Sequence, residues 1–155
     1  MSNILTTEFE SIKSELIKKY DEKGMRASGK FADSLEVVMV NESRVQLWGN
    51  DYAQQLETGR RAGKFPPLAP IKQWIEDKGI AQRIQGNISV GSLAFLIARK
   101  IARQGWDRQE YGGVELISEV ITEKRIQKII DQVGAFEAIK FSIEITQLIN
   151  GINNN

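Results

Sequence analysis

Leu35–Trp48 reads LEVVMVNESRVQLW, two runs rich in β-branched residues on either side of a short polar break. Such side chains suit a pleated, half-buried surface, and the polar residues between them supply turn chemistry. The stretch predicts a β-hairpin over Leu35–Asn41 and Arg44–Trp48, with Leu35, Val37 and Met39 on one face. A third strand is expected near the C-terminus. There Ile139, Phe141, Ile143 and Ile145 alternate strictly with Lys140, Ser142, Glu144 and Thr146. A period of two marks a half-buried strand over about 138–146, a natural partner for the hairpin.

Helices are expected around this sheet. Thr7-Glu8-Phe9-Glu10 has the form of a capping box, and Phe9, Ile12, Leu16, Ile17 and Tyr20 follow at helical spacing. An amphipathic helix from about Glu8 to Glu22, stopped by Gly24, should cover the sheet. Glu10, Lys13, Glu15 and Lys18 make its wet face. Ala27–Ser34 is a small-residue linker with room for one helical turn. Asn50 is placed to cap a helical run over Asp51–Thr58. Pro70 suits the first turn of the next helix, whose apolar set is Ile71, Trp74 and Ile75 and whose stop is Gly79. Ala81–Gly91 reads as loop.

Ser92 then caps SLAFLIARKIARQG, apolar nearly all round in its first half, which predicts deep burial. Val114–Val133 is helical in pattern, with two apolar sets. Ile117, Val120 and Ile121 fall on one side; Ile126, Ile129, Ile130 and Val133 fall roughly opposite. Either the helix breaks near Thr122–Arg125 or it touches different partners on its two faces. Nothing there is a strong helix breaker, so the unbroken helix is favoured, with the second set meeting a neighbouring subunit. The expected architecture is α+β: a small, mainly antiparallel sheet with four to five helices, in one domain over 1–150, and a frayed tail over 151–155.

Composition narrows the function. The chain has 155 residues, 41% hydrophobic and 26% charged, with a formal net charge of +1. These are values of an ordinary soluble globular domain, with no global field to draw it onto nucleic acid or an acidic membrane. It has no cysteine and no histidine, which removes disulfides, thiolate chemistry, Cys/His zinc sites and imidazole catalysis. No cofactor is expected. The N-terminus lacks the pattern of a signal peptide, and no apolar run approaches membrane length, so the reading is an intracellular product. The sequons at Asn41 and Asn87 then carry no weight.

Tyr52–Trp74, YAQQLETGRRAGKFPPLAPIKQW, holds more turn punctuation than a helical connection needs. Gly59 ends a helix, Arg60, Arg61 and Lys64 make a basic tip, and Gly63 lets the chain bend. Pro66, Pro67 and Pro70 stiffen the path onward. A loop of this kind holds a shape and presents charge, with Phe65 as an apolar anchor within it.

The order of these pieces resembles the tail-completion (neck) proteins of long-tailed bacteriophages. The residues that carry the likeness are Tyr52, Leu56-Glu57-Thr58-Gly59-Arg60, Gly63-Lys64-Phe65-Pro66-Pro67, Ile71, Trp74-Ile75 and Lys78-Gly79. Leu93–Ile101 looks like a second block of that family, and Ser28-Gly29-Lys30 with Ser34-Leu35 is also similar. The likeness spans about Ser28–Gly105. It implies a virion structural protein without catalysis, assembled in the host cytoplasm and placed in the neck or tail. Such a protein forms or completes a homo-oligomeric ring, six-fold or twelve-fold, beside other head–tail connector or tail proteins around the DNA channel. Rings close through heterologous contacts, so each subunit needs two complementary surfaces.

Each charged cluster has a plainer reading beside the functional one. Arg60, Arg61 and Lys64 face DNA phosphates, dock on acidic groups of an adjacent ring, or form a solvated tip. Arg99, Lys100 and Arg103 complement the C-terminal end of a helix dipole, or bind phosphate or a partner. Asp107 and Glu110 with Tyr111 could serve a cation or acid/base chemistry, but no further ligand stands near them, and exposed loop residues are the better reading. Trp48, Trp74 and Trp106 read as core or interface aromatics. The alternative function is a small DNA-binding accessory or assembly protein using the two basic clusters. An enzyme built on Asp107 and Glu110 stands third.

Overall fold

The computed structural model describes residues 2–83, 88–106 and 115–153. Two strands and seven helices occur among them: α1 (Ser2–Glu22), α2 (Lys30–Ser34), β1 (Glu36–Asn41), β2 (Arg44–Trp48), α3 (Ala53–Thr58), α4 (Leu68–Asp77), α5 (Val90–Gln104), α6 (Leu116–Val120) and α7 (Glu123–Asn153). The fold mixes helix with sheet, and the expected count of four to five helices is too low.

The hairpin forms where the pattern places it. β1 pairs antiparallel with β2 in a register that sets Val37 opposite Leu47 and Met39 opposite Val45. The Asn41 side chain accepts the Ser43 N–H at 2.9 Å and closes the turn. Leu35 is buried and Val37 half-buried, whereas Met39 at the far end is 56% exposed. α1 crosses both strands. Ile12, Leu16 and Tyr20, one turn apart in succession, are its buried line. They meet Met25, Phe31, Leu35, Leu56, Leu116 and Val120 in the main core. The Tyr20 and Phe31 rings sit 4.7 Å apart, tilted by 37°. The helix starts at Ser2, one and a half turns before the Thr7 capping box. It ends at Gly24 as expected, where the Met25 N–H reaches back to the Tyr20 carbonyl at 3.0 Å.

A second, smaller packed line joins α4 to α5. Ile75 is fully buried, as are Ala94 and Ala98, one turn apart on α5. Pro70 occupies the first turn of α4, where its missing N–H has no helical partner to lose. Gly79 closes the helix, with Ile80 donating to the Ile75 carbonyl at 3.0 Å. The N-cap of α5 is Ser89, whose hydroxyl accepts the Ser92 N–H at 3.1 Å, so the cap lies at Ser89 and not at the expected Ser92, and the helix starts at Val90. Deep burial of its first half is not found. Only Ala94 and Ala98 are buried on α5, while Phe95 and Leu96 are 47% and 40% exposed, because α4 covers one side alone.

The C-terminal region departs most from expectation. Residues 138–146 lie inside α7, so the expected third strand is helix, and among the described residues the sheet has two strands. The unbroken helix Val114–Val133 is overturned too. The chain leaves α6 after Val120 and restarts at Glu123, where the Thr122 hydroxyl accepts the Arg125 N–H at 3.2 Å. A threonine that caps a new helix interrupts the old one without being an intrinsic breaker. Among the described residues no helix is long and apolar enough to cross a membrane. The tail over 151–155 falls at the end of α7, and its last two residues lie outside the described residues.

Candidate docking surface

The Gly59–Pro67 loop is built by its two ends. Gly59 stops α3 at φ 73°, ψ −159°, a conformation that excludes Cβ-bearing residues. Gly105, just past α5, adopts nearly the same angles, φ 77° and ψ −166°. Between them the Arg60 N–H donates to the Trp106 carbonyl at 2.7 Å, and the Trp106 N–H donates back at 2.6 Å. The Gly63 N–H donates to the Ala102 carbonyl at 2.8 Å. These bonds strap the loop to the last turn of α5. The Arg60 guanidinium turns back to the Lys64 carbonyl at 2.9 Å and closes the tip on itself.

The strap unites two groups that sequence alone leaves apart. Arg60, Arg61 and Lys64 on the loop lie beside the helix end that bears Arg99, Lys100 and Arg103. Arg61, Lys64, Arg99, Lys100 and Arg103 are exposed, and Arg60 is half-buried. Arg99, Lys100 and Arg103 line, with Leu96 and Gln104, a shallow open pocket of about 190 Å³. Arg103 lies in the last turn of α5, where its charge meets the partial negative charge of the terminal carbonyls. Next to the basic area lies an apolar edge. The Phe65 ring stands 5.7 Å from Phe95, tilted by 40°, and both remain nearly half exposed beside Leu96. The surface thus combines an aromatic pair with a cationic rim, a composition suited to contact with another macromolecule.

Glu57 carries no site signature in the sequence, yet it ties α3, which leads into this loop, to the α6 helix of the core. Its carboxylate accepts the Ile117 N–H at 2.7 Å, the Ser118 N–H at 3.2 Å, and the Ser118 hydroxyl. It caps the five-residue α6, whose own preceding residue, Glu115, offers no side-chain cap. The signal available in sequence was a carboxylate one residue before Thr58-Gly59, which does not name its partner sixty positions away. Trp106 is half-buried against the main core, whereas Trp48 and Trp74 are 55% and 39% exposed.

The expected subunit-contact set divides. Ile129 and Val133 are half-buried, Ile129 against the main core, while Ile126 and Ile130 are 45% and 57% exposed. Asp107, Glu110 and Tyr111 lie outside the described residues. Comparison of the chain with protein-family models, with curated proteins and with solved structures finds no match.

Proposed function

We propose that this chain is a structural protein of a bacteriophage virion, of the neck or tail-completion type. In this reading it forms or completes a ring at the head–tail junction or tail end, and joins neighbouring rings around the DNA channel. The observation that carries the reading is the strapped loop. The Arg60–Trp106 backbone pair and the Gly63–Ala102 bond hold a basic tip and the Phe65–Phe95 edge in one fixed arrangement. A contact element held in place before it meets its partner loses less entropy on docking. Near-neutral net charge, with cations gathered on one surface, suits selective contact with acidic groups of an adjacent ring.

The decisive measurement is the copy number of this chain in purified particles, by quantitative mass spectrometry against the portal protein. On the order of six or twelve copies per particle is the expected result. Absence from particles overturns the reading. Changing Arg60, Arg61 and Lys64 together to Ser should leave the fold intact and block particle completion.

A second reading draws on the same surface. Six cations from two chain segments on adjoining elements could meet duplex phosphates, making the chain a DNA-binding accessory protein. That reading requires an affinity for DNA that falls steeply with salt and is lost in the triple Ser variant.

A further inference from the structure

α7 outruns the rest of the fold. Its start is held by Arg125, which bonds Glu15 and Ser11 of α1, and by Ile129 against the core. Over residues 134–147 every position except the half-exposed Glu137 is exposed. This stretch is nevertheless apolar: Phe136, Ile139, Phe141, Ile143 and Ile145 are 40%, 61%, 65%, 53% and 40% exposed.

The alternation that imitates a strand has a definite meaning in a helix. At about 100° per residue, a step of two carries the side chain through about 200°, to the opposite side. Phe136, Ile139 and Ile143 form one stripe; Ala138, Phe141 and Ile145 form another about 160° away. Of the two arcs between them, one bears Glu137, Lys140 and Glu144. The other bears Ala135, Ser142 and Thr146. There the Ser142 and Thr146 hydroxyls donate to the carbonyls of Ala138 and Ser142, at 2.9 and 2.8 Å, and need no outside partner.

We propose that this part of α7 packs between the α7 helices of two other copies of the chain, the first stripe of each against the second stripe of the next. The stripes are complementary in height. In parallel copies at one level, Ala138 falls between Phe136 and Ile139, Phe141 between Ile139 and Ile143, and Ile145 just beyond Ile143, so the side chains interdigitate. They are complementary in charge as well. Lys140 borders the first stripe and Glu137 and Glu144 border the second, so each contact sets a lysine beside two carboxylates of the neighbour. Like stripe on like stripe would bring Lys140 to Lys140 and leave the other stripe wet.

In a closed ring the two contact directions on one helix are about 120° apart for six copies and about 150° for twelve, so about 160° fits the wider ring. Closure rests on the virion reading above; the self-packing of α7 does not. The five large side chains offer roughly 500 Å² of apolar surface, against roughly 1,600 Å² for a typical specific interface. The contact is therefore weak in an isolated chain and is best trapped covalently.

The absence of cysteine makes that trap clean. Full-length chains carrying Ile143→Cys, Ile145→Cys or both are oxidised at high protein concentration and run on a denaturing gel, with Ser43→Cys on the hairpin turn as the collision control. The expected result is a ladder of dimer, trimer and larger species from the double variant, at least tenfold above control, with each single variant near control. Adding Lys140→Glu should collapse the ladder, and adding Glu137→Lys and Glu144→Lys to that chain should restore it. A single variant that dimerises as well as the double, or no ladder above control, overturns the proposal. Unchanged helical circular dichroism verifies that each variant folds. A ladder from a chain absent from particles would sink the virion reading alone; presence in particles without a ladder would sink this one alone.

Discussion

Arg60 and Trp106 exchange both backbone hydrogen bonds, at 2.7 and 2.6 Å, forming a one-rung antiparallel ladder between a loop and the residue after a helix cap. That rung, with the Gly63–Ala102 bond, sets which charges share a surface. Without it the Arg60–Lys64 tip and the Arg99–Arg103 cluster belong to separate elements; with it they adjoin, next to Phe65 and Phe95.

Gly105 is the residue that permits the rung. A Cβ there would stand 2.4 Å from the Arg60 carbonyl oxygen and 2.9 Å from the Ala62 nitrogen, both backbone atoms. Gly105→Ala should destabilise the protein by about 1–3 kcal/mol. Urea unfolding checks the loss, and amide hydrogen exchange should show Arg60 and Trp106 losing protection together.

Glu57→Ala should cost about 1–2 kcal/mol, since the Ile117 and Ser118 N–H groups then lose their cap. Glu57→Gln keeps one acceptor oxygen and should cost less. Equal losses in the two variants would assign the effect to packing of the side-chain stem.

Arg125 joins three elements, bonding Glu15 and Ser11 on α1 and the Val120 carbonyl at the end of α6. Arg125→Met should lower stability by about 1–2 kcal/mol, because it leaves these acceptors unpaired. Exchange protection near Thr122–Ile129 should fall more than protection in the hairpin.

Stability should decline in acid. The hydrogen bond from Arg26 holds the Asp21 carboxyl below its ordinary range, and the hydrogen bond from Lys23 does the same for Glu119. A depressed carboxyl contributes in full above its unfolded-state pKa and loses the contribution as pH falls through the folded-state value. Both groups face water, so each effect is small and screened by salt. The denaturation midpoint should drop between pH 5 and pH 2, on the order of the usual acid window, and less steeply in Glu119→Gln.

Local signals in the chain predicted local structure well. The β-branched runs gave the hairpin, the Ile12–Leu16–Tyr20 spacing gave the helix across it, and Gly24 and Gly79 marked the stops. Each depends on neighbours within a few residues. The Ile139–Ile145 alternation misled because a period of two is also what a helix shows when both its sides are apolar. No glycine or proline lies between Gly134 and Gly151 to interrupt the helix, and the hydroxyls of Ser142 and Thr146 fold back onto it. The tip and the basic cluster were each visible as charge. Their adjacency was not, since it hangs on backbone bonds between segments far apart in the chain, Arg60 with Trp106 and Gly63 with Ala102.

α7 also acts as a lever. Its anchored part ends near Ile129, and the remaining residues extend the helix by about 36 Å at 1.5 Å each. A tilt of about 10° at that fulcrum sweeps the far end through about 6 Å, roughly one helical pitch. Any small repacking around Arg125 would be magnified several-fold at Ile143 and beyond, so the few side chains at the pivot set where the far end of the helix lies.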